Sequence, residues 1–142
     1  MISEFETAFR VHLETADAEI RPYLGELDSA ETMEGIINDS KQIIFYDLKG
    51  DTWEHQFKKR VEYSLYFVSA TTSNSSAHRQ KAKSELIQLI EKIDAKFLTF
   101  QCAGISEYPK QRTLKKLQDG ICGIGYLVVY ERTLDVTVET GK

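Results

Sequence analysis

One stretch of the chain alternates between apolar and polar side chains: FKKRVEYSLYFV, residues 57–68. One set of positions carries Phe57, Val61, Tyr63, Leu65 and Phe67, and the other carries Lys58, Arg60, Glu62 and Ser64. Because successive side chains of a strand point to opposite faces, this pattern predicts a strand with one face packed on a core and the other starting in water. Tyr66 and Val68 continue the polar face, which we call the wet face, and make its C-terminal end apolar. We therefore expect this end to be covered by another part of the protein.

Three further strands are predicted around this one. Residues 41–48 contain β-branched and aromatic side chains, and the turn signal at residues 49–51 indicates an antiparallel pairing with the strand that follows. Residues 98–106 give a third strand, which Tyr108-Pro109 ends. Residues 120–132 give a final strand with apolar side chains on both faces, which indicates a central position in the sheet.

Two helices are predicted from apolar side chains at spacings of three and four. The first covers residues 3–20, with a capping-box pattern at Ser3 and Glu6. The second follows the polar loop at residues 71–76, and its stripe consists of Ala82, Leu86, Leu89, Ile90, Ile93 and Phe97. Residues 24–40 are rich in turn-forming and acidic side chains, and a short helix over residues 30–35 is an alternative there.

These elements predict an α+β fold in the order α-β-β-α-β-β. We expect a two-layer sandwich in which one four-stranded mixed or antiparallel sheet carries both helices on one face. A chain of 142 residues normally forms one domain, so residues 1–142 are expected to fold as a unit. Residues 132–142 alternate weakly, and we expect a mobile tail or a strand added to a partner.

Charge and cysteine usage narrow the class of protein. The formal net charge of −4 argues against broad non-specific nucleic-acid binding, which needs a basic face. Cys102 and Cys122 lie in apolar runs and are expected to be reduced core thiols, with a bridge between them as the alternative. We expect no signal peptide, no specific nucleic-acid binding, no membrane partner and a cytoplasmic location.

No pattern indicates catalysis, a metal or a cofactor. His12, His55 and His78 are far apart in sequence, and the interpretation we prefer for His12 is a partly buried helix residue. The stretch from Gly120 to Gly125 lacks the spacing of a phosphate loop and favours a bulge or a close backbone approach. The sequence therefore predicts a protein that is not an enzyme, with no catalytic residue, no metal ligand and no cofactor.

Two features of the sequence are candidates for surfaces that contact other molecules. Trp53, the only tryptophan, is either an interface anchor or a cap on the open end of the sheet core. Four basic residues lie in the predicted connection before the last strand: Lys110, Arg112, Lys115 and Lys116. Such a group meets an acidic partner or a phosphate backbone, or is an ordinary solvated loop.

The chain resembles the Mu-like family of small phage tail proteins and, through it, the tail-terminator proteins of long-tailed phages. The similar segments are ISEFETAF (2–9), QIIFY (42–46), RVEYSLYFV (60–68), the helix that bears Leu86, Leu89 and Ile90, and GYLVVYE (125–131). The resemblance covers roughly residues 2–132 and lies in pattern and layout, without a diagnostic motif.

The resemblance implies a structural role in virion assembly. Such proteins form a ring, typically of six subunits, that caps the tail tube, stops its polymerisation and presents a surface to head-completion proteins. The expected partners are therefore copies of the chain, the tail-tube protein and a head-completion or connector protein, in the host cytoplasm and then in the virion tail. The alternatives are another neck or head–tail connector protein, and a small-molecule-binding protein or enzyme.

Overall fold

Five strands and three α-helices make up the part of the chain that the computed structural model describes, residues 2–14, 18–39, 42–73, 75–100, 109–122 and 125–139. The strands are β1 (Glu19–Pro22), β2 (Gln42–His55), β3 (Lys58–Thr71), β4 (Lys110–Cys122) and β5 (Gly125–Glu139). The helices are α1 (Ile2–Leu13), α2 (Ala30–Asp39) and α3 (Ser76–Phe97), and a 3-10 turn, Glu26–Asp28, precedes α2. The fold is α+β, with one mixed sheet.

The sheet has the strand order β1-β2-β3-β5-β4. The central strand β3 pairs antiparallel with β2 on one side and β5 on the other, so Leu65 lies between Tyr46 and Arg132. β5 also pairs antiparallel with β4, which confirms the internal position predicted for the last strand. That strand begins at Gly125, however, and residues 120–122, predicted as its start, belong to β4. β1 is parallel to β2 at the opposite edge, where the missing N–H of Pro22 costs no ladder hydrogen bond.

The larger hydrophobic core lies between the sheet and two helices, α1 and α3. The apolar face predicted for β3 is confirmed at Val61, Tyr63, Leu65 and Phe67, which are all buried there. Two positions differ from the prediction: Phe57 precedes β3 in a turn and is 45% exposed, and Ser64, predicted on the face in water, is 1% exposed. Phe9 of α1 lies 5.6 Å from Phe97 of α3 between ring centroids. Both predicted helices therefore pack on the same face of the sheet.

A third helix covers part of the opposite face. Ile36 and Ile37 of α2 pack against Phe45 and Val68, so the apolar end of the wet face is covered as predicted. The predicted α+β class and mixed sheet are confirmed, but the counts of four strands and two helices match only roughly, because residues 19–22 form β1 and residues 30–39 form the third helix, α2, which adds a partial third layer. The apolar stripe of α2 is short, and Gly35 within it indicated a turn.

Two boundaries in the first half differ from the prediction. The first helix ends at Leu13 instead of residue 20, and residues 19–22 form β1. β2 does not stop at residue 48 but continues through the predicted turn to His55, because a register irregularity between Leu48 and Gly50 lets the pairing resume. The predicted cap on Ser3 lies outside the described side chains.

The second half of the chain differs more from the prediction. Of the predicted strand at 98–106, residues 98–100 follow α3 as turn and loop, and residues 101–106 lie outside the described part. The predicted basic connection is the strand β4. The predicted loose segment from residue 132 is ordered through Glu139, where Leu134, Val136 and Val138 are buried. Cys102 and the Cys122 side chain lie outside the description, so the prediction of reduced thiols stays open.

Candidate interaction surface at the edge strand

The strand β4 forms a long free edge of the sheet. Its 13 residues pair with β5 on one side, and no strand within the described residues pairs with the other side. Leu114, Leu117 and Ile121 remain 39%, 45% and 57% exposed along it. An edge with unpaired N–H and C=O groups and exposed apolar side chains is a ready site for another chain.

All four basic residues of the predicted contact surface lie on this strand. The Arg112 guanidinium donates through Nη1 to Oδ2 of Asp135 at 2.8 Å, and the Lys116 ammonium lies 3.7 Å from Asp119. Lys110 and Lys115 are exposed and form no ion pair with any residue that the structure describes. Two of the four cations are therefore held within the monomer, and two are available to a partner.

Three further contacts hold β4 against the body of the protein. The Lys83 ammonium of α3 lies 2.5 Å from Oδ2 of Asp119, and the Tyr126 hydroxyl of β5 donates to the other oxygen of that carboxylate. These hydrogen bonds, that of Lys83 first, lower the pKa of Asp119 below its ordinary value. The Gln111 side chain also donates to the carbonyl oxygen of Asp94 in α3 at 3.0 Å. The edge strand is thus fixed to a helix and to its neighbouring strand.

The segment of the chain that connects β1 to β2 forms a second surface, of opposite charge. Residues 22–40 contain five carboxylates and no lysine or arginine: Glu26, Asp28, Glu31, Glu34 and Asp39. The first four form no ion pair among the described residues, and Leu24 is 84% exposed beside them. We call Leu24, Glu26, Asp28, Glu31 and Glu34 the acidic surface. The sequence showed these acidic residues but predicted no role for them. The absence of lysine and arginine from the same segment could have indicated an acidic contact surface.

A shallow groove separates the acidic surface from β4. Its volume is about 240 Å³, and its walls include Tyr23 and Asp28 on one side and Leu117 and Gln118 on the other. The Tyr23 ring packs 4.8 Å from that of Tyr66 between centroids, and burial, followed by the Asp28 charge, raises the pKa of Tyr23. The volume is below the roughly 300–1,000 Å³ of most small-molecule sites.

Trp53 lies near the end of β2, distant in register from the β1 pairing. It is 55% exposed, and the Lys59 ammonium lies 5.2 Å from the centroid of its ring. Lys59 also forms an ion pair with Asp51 at 2.9 Å. The exposure argues against a cap on the sheet core and leaves a large aromatic surface in solvent, as an interface anchor requires.

We predict that Trp53→Ala weakens self-association while leaving the fold intact. Removing an exposed side chain should change the free energy of unfolding by no more than about 0.5 kcal/mol, since no core cavity forms. Sedimentation velocity and thermal unfolding measure the two effects. Leu98→Ala, which is 67% exposed, serves as the control for loss of an exposed apolar side chain. A sharp fall in melting temperature for Trp53→Ala alone would restore the core-cap interpretation.

The histidines are not brought together. The Nε2 atom of His12 is 2.8 Å from the carbonyl oxygen of Lys96, which confirms a partly buried helix residue. Nδ1 of His78 is within hydrogen-bonding distance of the hydroxyl groups of Ser73 and Ser75, at 2.7 and 2.9 Å. Within the described residues, no three His, Cys, Asp or Glu side chains form a group that could hold a metal ion.

Comparison with models of known protein families gives no match, and comparison with curated proteins gives none either. Among the helices in the described ranges, none has both the length and the apolar composition needed to cross a bilayer.

Proposed function

We propose that this protein is a phage or prophage structural protein of the tail-terminator type, which caps the tail tube as a ring and forms the surface that joins the head. The observation that carries the proposal is the free edge of β4, where exposed apolar and basic side chains share one ordered strand. An assembly protein acts through such surfaces, because exposed edges and apolar patches are where further chains bind.

The layout of the elements also supports the proposal. The resemblance rests on a leading helix, a strand pair, a helix and a closing strand, and these correspond to α1, β2–β3, α3 and β5. The elements additional to that layout, α2 and β4, are the ones that carry the acidic surface and the basic edge. The partners proposed are copies of the chain, the tail-tube protein and a head-completion protein.

Electron microscopy of particles that lack the protein tests this function. We expect tubes of overlong and variable length, because nothing then stops polymerisation, and normal length should return when the wild-type protein is supplied. Tails of normal length that fail to join heads would instead assign the protein to the neck, as a connector. Particles with normal tails and normal head joining would contradict both roles.

A further inference from the structure

We propose that copies of this protein bind one another through unlike surfaces, with the acidic surface of one copy seated on the β4 edge of the next. The occupant of the free edge is therefore a second copy of the chain. The inference rests on the proposed function only in that a ring needs such a contact, and it names the two surfaces that make it.

The charges available on the two surfaces are complementary. Glu31 and Glu34 are exposed on α2, and Lys110 and Lys115 are exposed on β4, and none of the four has an ion-pair partner among the described residues. The other two basic residues of β4 are held by carboxylates of the same copy, Arg112 by Asp135 and Lys116 by Asp119. Long-range attraction between the surfaces would orient two approaching copies.

Exposed apolar side chains accompany the charges on both sides. Leu24 is 84% exposed on the acidic surface, and Leu114 and Leu117 are 39% and 45% exposed on β4. Stable interfaces combine an apolar centre with a polar rim. A helix seated along a sheet edge is also one of the ways in which proteins protect such an edge from unwanted strand pairing.

Like-with-like pairing is disfavoured by the same charges. Two β4 edges placed side by side would bring lysine and arginine against lysine and arginine, and two α2 helices would bring carboxylate against carboxylate. Each copy carries one surface of each kind, and the two lie side by side, so a contact between unlike surfaces can be made twice in a two-fold pair or can repeat from copy to copy. Repetition of this kind is what a closed ring requires.

Reciprocal charge reversal tests the contact. We expect Lys110→Glu/Lys115→Glu and Glu31→Lys/Glu34→Lys each to weaken self-association at least about tenfold, because like charges then face each other. An equimolar mixture of the two variants should associate again, since the reversed edge of one now fits the reversed helix of the other. Sedimentation velocity at about 50 mM salt measures all three samples, and circular dichroism checks that each variant is folded.

The control reverses two lysines on α3, on the opposite face of the sheet: Lys81→Glu/Lys92→Glu. It changes the net charge as much as the β4 variant does, and we expect it to associate as the wild type does. Lys110→Gln/Lys115→Gln, which introduces no new carboxylate, should weaken association less than the reversal. Arg112 is left unchanged in every variant, because its replacement would leave the nearly buried Asp135 carboxylate without its ion-pair partner.

The contact is overturned if folded reversal variants associate like the wild type, if their mixture stays monomeric, or if the wild type is monomeric throughout. Association of the wild type through another surface would leave the proposed function standing. Normal tails in particles that lack the protein would overturn that function and leave the measured contact unaffected. The two proposals therefore fail on different measurements.

Discussion

Replacing Phe9 with alanine is expected to lower the free energy of unfolding by about 3–5 kcal/mol. Phe9 is 1% exposed and lies where α1 meets the sheet and α3, with ring centroids 5.5 Å from Phe5 and 6.1 Å from Phe100. Its removal leaves a cavity that neighbouring aromatic rings are too rigid to fill. Since a domain of this size is stable by roughly 5–15 kcal/mol, the variant should be close to unfolding.

Urea unfolding followed by circular dichroism measures this loss. Val11→Ala, on the same helix but 57% exposed, provides the matched control and should change the free energy of unfolding by less than about 0.5 kcal/mol. If the two variants were equally stable, α1 would not be docked on the core as the structure describes.

Gly125→Ala is the second substitution with a large expected effect, a loss of about 1–3 kcal/mol or more. A Cβ atom at Gly125 would overlap the Ile37 side chain of α2 and lie 2.7 Å from the carbonyl oxygen of Thr71. The side chain can move, but the carbonyl oxygen belongs to the backbone of the central strand. The close backbone approach predicted for this glycine-rich stretch is confirmed at Gly125.

Gly120→Ala is the control, because nothing lies within 4 Å of the position of its added Cβ. Thermal unfolding of both variants should show a loss only at Gly125. The double variant Gly125→Ala/Ile37→Ala is compared with Ile37→Ala alone, because loss of the buried Ile37 side chain has its own cost. If Gly125→Ala costs less stability in the Ile37→Ala background, the overlap with Ile37 causes the loss, and if it costs the same, the Thr71 carbonyl does. A Gly125→Ala protein as stable as the wild type would contradict the packing of α2 against β5.

The elements that could be predicted are those whose signal lies within their own sequence. The sequence of β3 alternates over residues 60–65 because one face of that segment is buried under α1 and α3. The helix α3 has a long apolar stripe because it packs on the same face. The edge strand β4 needs no buried face of its own, and register irregularities at Gln111/Leu114 and Lys116/Gln118 interrupt its period. Its polar, basic composition therefore indicated a loop, although lysine is common on edge strands.

The residues of the candidate surface could be predicted from the sequence, but their contacts and relative positions could not. Composition was enough to single out the basic residues and Trp53. Which of the basic residues are engaged depends on contacts distant in sequence, such as that of Arg112 with Asp135, and no local pattern encodes them. The position of the acidic surface beside β4 likewise follows only from the path of the chain across the sheet between β1 and α2.

The strand order has a consequence for synthesis of the protein. Among the described strands, β5 is made after the other four, and it lies between β3 and β4 in the sheet. While the chain leaves the ribosome, β3 has one bare side and β4 has no place to attach until residues 125–139 have emerged. The nascent chain therefore exposes a long apolar strand with an unpaired edge until β5 has been made, and such edges are prone to aggregate.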